Sequence, residues 1–419
     1  MFLPQCIKKY YRNIISIFFL LISLQVFAGG NDPLRAAEAH HIQVFYPEQL
    51  TNPQKKSRKS MAQFGYNLSY FTIPIFPITE FVNPENLGKH SYSQGAFGEK
   101  NGSLYTCRGG FIDFSHMRAA ADWTVYLAFT ILNDPDELEL EPEAGTLKLK
   151  FKNIDELSLQ DIVDMAQKIA FERLEWHEVA SWHYHHPYHM RSDQQSTFTP
   201  EDNYSNLLGT EIGKKIALRI IQNMETKPYA EIATEEIQNA ISSLEPVNGK
   251  KESKMAYDIV DRNVQMHLPA DKRNNDVWWD SNILFRDQRY MFKRNTNIGP
   301  EVGPWLVPRS IELGCDADPS ANILYVPVKT QGGTSFYEYY DFTITPDTAM
   351  FYGRSGEIVH TPFGTFSTRR LDFVVGIIVS EMEKIFLTGF NKRDYCDPVQ
   401  DYKNVRRVGL AVVMTGGNN

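Results

Sequence analysis

Two stretches of this chain, 111–132 and 157–184, contain neither glycine nor proline. Each carries apolar residues at helical spacing, so each is expected to fold as a long helix that must bury one face. In the first, FIDFSHMRAAADWTVYLAFTIL, the residues Ile112, His116, Ala120, Trp123 and Leu127 share a face. In the second, LSLQDIVDMAQKIAFERLEWHEVASWHY, the stripe is Ala166, Ala170, Leu174, His177 and Ser181. Ser158, with Asp161 three residues on, starts that helix in a manner close to a capping box. Each apolar face therefore carries one inward histidine.

The rest of the chain is organised around this pair. Thr199-Pro200-Glu201-Asp202 predicts another helix start, with proline at the first helical position, and 231–244 predicts a further amphipathic helix. Beyond about residue 270, the segments 323–330, 336–345, 372–380 and 407–415 read as strands. The expected class is α+β, a helical body over about 111–245 with a β-rich C-terminal part over about 270–419. In segments, this gives a signal peptide at 1–28, an extended wrap at 29–110, a helical region carrying the candidate site at 111–250, and a β-rich region at 251–419 that is either separate or one unit with the helices.

Residues 1–28 have the form of a targeting segment. Lys8, Lys9 and Arg12 precede the apolar run Ile14–Ala28, which ends in small residues. A bilayer span needs about 20 apolar residues, so cleavage after Ala28 is expected, leaving no transmembrane anchor and an exported protein, periplasmic or secreted. Cleavage would remove three basic residues and no acid, making the chain's net charge of −8 more negative. No block of Lys/Arg stands out, which argues against a nucleic-acid partner. Of the cysteines left, Cys107, Cys315 and Cys396, the last two are neighbours in sequence and form the expected disulfide.

The chemistry rests on the inward histidines. Five of the 11 histidines fall between 177 and 189, but His185, His186 and His189 read as a polar loop. His116 has Asp113 one turn before it, and His177 is followed by Glu178. If the two helices meet there, His116 and His177 would bind a divalent metal such as zinc. Asp113 would be a third ligand or an orienting neighbour, and Glu178 the general base. The His-Glu order resembles the zinc-protease helix, yet Ser181 occupies the place of that motif's second histidine.

A metal-dependent hydrolase is the leading expectation. A Cys–His hydrolase is the first alternative, with Cys107 at a helix start beside Arg108 as nucleophile. The second is a non-catalytic cell-envelope binding or scaffolding protein, with both histidines hydrogen-bonded in a closed core. Arg118 and Asp122 are expected to pair on the helix surface. Asp202, Tyr204, Ser205 and Asn206 either line a cleft or complete a helix start.

Four segments, RGGFIDFSHMRAAADW (108–123), EWHEVASW (175–182), FTPEDNYSNLLGT (198–210) and GPWLVP (303–308), together resemble, in this order, the bacterial exported family called domain of unknown function 4056. The resemblance implies an envelope-associated or secreted protein and carries no established activity.

Overall fold

The computed structural model describes residues 81–378, apart from 93–98, 133–134, 184–197, 200, 222–226, 267–298, 308–309, 318 and 347–363. The expected targeting segment, most of the expected wrap, His185, His186, His189, Cys396 and the strand expected at 407–415 lie outside the described residues. In chain order the elements are β1 (Ser103–Thr106), β2 (Gly110–Asp113), α1 (Phe114–Leu132), β3 (Glu137–Leu140), β4 (Gly145–Phe151), α2 (Leu159–His183), α3 (Asp202–Ile221), α4 (Tyr229–Ser243), α5 (Lys250–Met266), β5 (Glu301–Val302), β6 (Leu324–Tyr325), β7 (Tyr340–Pro346) and β8 (Phe366–Ser367). The class is α+β, as the sequence predicts.

The centre of the fold is the packing of α1, α2 and α3. Gly209 and Gly213 set it. A Cβ on Gly209 would lie 2.1 Å from the Met117 carbonyl oxygen and 2.6 Å from Ala120 Cβ, and one on Gly213 would lie 2.6 Å from the Ala121 carbonyl oxygen. The α1 and α3 backbones thus touch where only glycine fits. Both contacts advance together along the two helices, so α1 and α3 run parallel and their N-termini sit side by side. Helix α2 runs antiparallel to α3, since Asp164 pairs with Lys214 and Gln167 with Glu211. Its start is the expected cap, Asp161 N–H donating to Ser158 Oγ at 3.1 Å.

Two departures from expectation concern strands. The hairpin β3–β4 lies inside the region read as helical. It forms an antiparallel sheet in the order β3-β4-β7-β8, so strands from both halves of the chain interleave. In β4, Leu147, Leu149 and Phe151 face inward while Lys148 and Lys150 face out, the period of two that a half-buried strand requires. Conversely, 372–380 is not a strand: 371–378 is helical, burying Leu371, Val374, Val375 and Ile378 at helical spacing. The sheet is fixed to α2 by Glu172, a buried carboxylate that accepts hydrogen bonds from Lys168, Tyr337, Tyr340 and Thr368. One apolar core runs from Phe81 to Ile378.

Two further corrections come from buried polar groups. Arg118 and Asp122 do not pair at the surface. Both are fully buried, and they bind the segment that precedes β1: Arg118 donates to Glu99 and to the Leu87 carbonyl, while Asp122 accepts from Tyr229 and lies 3.0 Å from His90 Nε2. Cys107 is joined to Cys315, so the expected Cys315–Cys396 bond does not form and Cys107 has no thiolate to act as a nucleophile. The pairing follows from how β2 meets the C-terminal part. Gly110, at φ +64°, packs against the Trp305 carbonyl, where a Cβ would come within 2.3 Å of the oxygen. Asn322 N–H donates to the Arg108 carbonyl at 2.8 Å.

Overpacking a tight helix contact costs about 1–3 kcal/mol or more. Gly209→Ala should therefore lower the urea midpoint by the equivalent of roughly 3 kcal/mol. Gly332→Ala, whose Cβ would meet nothing closer than 3.7 Å, should leave it unchanged.

Candidate metal centre

Because α1 and α3 lie parallel in close contact, the first turns of both helices reach the same place, and the C-terminal half of α2 arrives there from the opposite direction. His116 comes from the first turn of α1, His177 and Glu178 from α2, and Asp202 and Asn206 from α3. His116, His177 and Glu178 each offer one ligand atom, and the three atoms lie within 4.8 Å of one another. Glu178 Oε1 is 3.9 Å from His116 Nδ1 and 3.9 Å from His177 Nε2. Asp202 Oδ1 is a further 3.9 Å from His116 Nδ1.

His177, Glu178 and Asp202 are each held from behind. His177 Nδ1 lies 2.7 Å from Glu143 Oε1. This hydrogen bond puts the proton on Nδ1 and leaves the Nε2 lone pair facing Glu178. Glu143 sits in the β3–β4 turn and is paired with the Arg173 guanidinium, and its carbonyl accepts the Trp176 indole N–H at 2.7 Å. The second oxygen of Glu178 accepts Phe198 N–H at 2.7 Å, and Asp202 Oδ2 accepts Thr199 N–H at 2.6 Å. Two successive backbone amides ahead of α3 thus orient two carboxylates. Phe198 turns them inward with φ at +50°, a left-handed conformation uncommon for a non-glycine residue.

The inner atoms differ from these outer ones. His116 Nδ1 and Glu178 Oε1 are buried and have no hydrogen-bond partner. Polar atoms so placed are few in folded proteins and point to water or an ion. The His116 and His177 side chains keep 15% and 19% of their exposure, so neither ring is fully enclosed.

The site is strongly acidic. Burial opposes charge on His116, but Asp202, Asp113 and Glu178 outweigh it, with help from Asn206, and raise its pKa to about 9. Burial raises Asp202 to about 6 against the opposing pull of His116 and Thr199. Burial, reinforced by Asp202, pushes Glu178, Glu175 and Glu201 well above the usual carboxylate range.

The predicted residues thus separate. His116, His177 and Glu178 come together, and Glu178 stands among the ligand atoms rather than behind them. Asp113 caps α1, accepting from Ser115 N–H at 2.7 Å and His116 N–H at 3.2 Å, and acts on His116 through its charge. Cys107 is committed to its disulfide. Helical spacing does not single out Glu143 or Glu175, and it offers Asp202 only as lining a cleft or completing a helix start. A separate cleft of about 670 Å³, lined by Lys89, Lys100, Glu231, Glu235 and Lys250 among others, shares no residue with the centre. That cleft presents opposite charges in equal measure.

No curated protein and no solved structure matches the chain significantly. A family model described as protein of unknown function (DUF4056) matches residues 48–308, which include every residue of the centre, and the chain belongs to that family.

Proposed function

We propose that the protein is a metal-dependent hydrolase that binds one divalent cation, zinc in the first instance, through His116 Nδ1, His177 Nε2 and Glu178 Oε1. The observation that carries this reading is the convergence of three ligand atoms, two of them buried and unpartnered. Two imidazoles and a carboxylate form a ligand set known from catalytic zinc sites, where a fourth position is left for water. A cation bound there lowers the pKa of that water toward neutrality.

The chain's own residues then have distinct tasks. Glu143 holds the His177 ring in the tautomer that can ligate, and Arg173 holds Glu143. Asp202 Oδ1, beside His116, is the oxygen best placed to accept a proton from the water. The Phe198 and Thr199 amides keep Glu178 and Asp202 apart. A scaffolding role would leave both histidines fully hydrogen-bonded, and the unpartnered His116 Nδ1 favours the metal reading over it. The Cys107–Cys315 bond supports an exported protein, since structural disulfides persist in oxidising compartments.

Elemental analysis of the purified protein tests the proposal. Metal in the wild type and its loss in His177→Ala are expected; a metal-free wild type that takes up no added zinc would overturn it. Glu143→Gln should weaken zinc binding by about 10- to 100-fold while leaving the fold intact.

A pH series adds a second check. With chelator present, His116 has a folded pKa of about 9 against the ordinary 6.5. Its stabilising contribution is thus complete below about pH 6.5 and is lost as pH rises through about 9. The Tm of the chelated protein should fall across that interval. It should fall less in His116→Asn, and saturating zinc should reverse the fall.

A further inference from the structure

The buried acids around the centre are compensated, with one exception. Asp113 accepts two backbone amides of α1, Asp202 and Glu178 each accept a backbone amide, and Glu143 has Arg173. Glu175 lies within α2, one turn before Glu178, with 1% of its surface exposed. Neither of its carboxylate oxygens has a hydrogen-bond partner. It is too far from either helix end to gain from backbone amides. Instead it lies in the repulsive field of Asp202, and it adds to the field on Glu178.

Asn206 is the second anomaly. It follows Asp202 by one turn of α3, is fully buried, and sits beside His116. Beyond the His116 ring that it flanks, its amide oxygen and nitrogen have no hydrogen-bond partner. A buried carboxylate with neither oxygen paired, beside a buried amide only partly paired, is costly unless something compensates it. The two residues belong to neighbouring helices and lie one turn from the two oxygen-bearing residues of the centre, Asp202 and Glu178.

We propose that the centre is dinuclear: a second divalent cation is held by Glu175 and Asn206, with Asp202 lying between the two cation positions. This rests on His116, His177 and Glu178 holding the first. The donors divide by chemistry. The first position has two imidazole nitrogens, which suit zinc and its neighbours. The second has only oxygens, which suit harder ions such as manganese or magnesium. Paired ions in hydrolytic enzymes stand about 3.5–4 Å apart and flank the attacking and leaving oxygens of the reaction.

The test is a metal count. The metal-free protein is loaded with Zn²⁺ or with Mn²⁺, freed of unbound ion by gel filtration, and analysed for metal per chain. Two ions per chain in the wild type and one in Glu175→Gln are expected. One ion per chain in the wild type, lost in His177→Ala, would overturn the second position and leave the first. No bound ion would overturn both, and two ions retained by Glu175→Gln would also sink the assignment. The Mn²⁺-loaded wild type should give a broadened, exchange-coupled paramagnetic resonance spectrum rather than six isolated lines. Because that reading needs no variant, it decides the question even if Glu175→Gln does not fold.

Discussion

The contact of Gly209 and Gly213 with the α1 backbone governs where everything else can be. Two helices that touch at their backbones have little freedom to slide or rotate, because each glycine fits only against one turn of its neighbour. With α1 and α3 locked parallel, the residues of their first turns are brought face to face. His116 then has Asp202 and Asn206 as neighbours, not by any local signal but because the glycines lie one and two turns further along the same α3 face. Helix α2 closes the arrangement from the opposite direction. Its registry depends on the Glu172 cluster, through which the sheet holds it and carries the Glu143 turn up to His177.

The same geometry explains how so many acids are tolerated. Helix N-termini present unpaired amides and the positive end of the backbone dipole. Two of them converge here, and Asp113 and Asp202 accept amides at those ends. The amide of Phe198 serves Glu178 in the same way. Glu178 keeps one oxygen outside this compensation, and it is the oxygen 3.9 Å from both histidines.

Part of this was legible in the sequence. The two long helices, the Ser158 cap and the inward placing of His116 and His177 all follow from spacing, because a 3.6-residue period records which face is buried. The strand β4 also had its signal in the alternation of Leu147 and Leu149 with Lys148 and Lys150, embedded in a region dominated by helical patterns. What spacing cannot record is a contact made across the fold. Glu143 lies in a turn more than 30 residues before its histidine, and nothing local distinguishes it from other turn acids. Glu175 looks like any mid-helix glutamate until the neighbouring helices cover it. The disulfide departs from expectation for the same reason: proximity in sequence favours Cys315 and Cys396, whereas the contact of Gly110 with Trp305 brings Cys107 to Cys315.

That disulfide links residues 208 positions apart. The segment between them contains His116, Glu143, Glu175, His177, Glu178, Asp202 and Asn206, so the whole centre lies within one covalent ring. A proteolytic cut at any single point of the ring leaves both fragments tied together through the two cysteines. The candidate centre therefore depends on an unbroken loop of bonds rather than on an unbroken backbone, and a reducing environment would remove that safeguard without touching any of its residues.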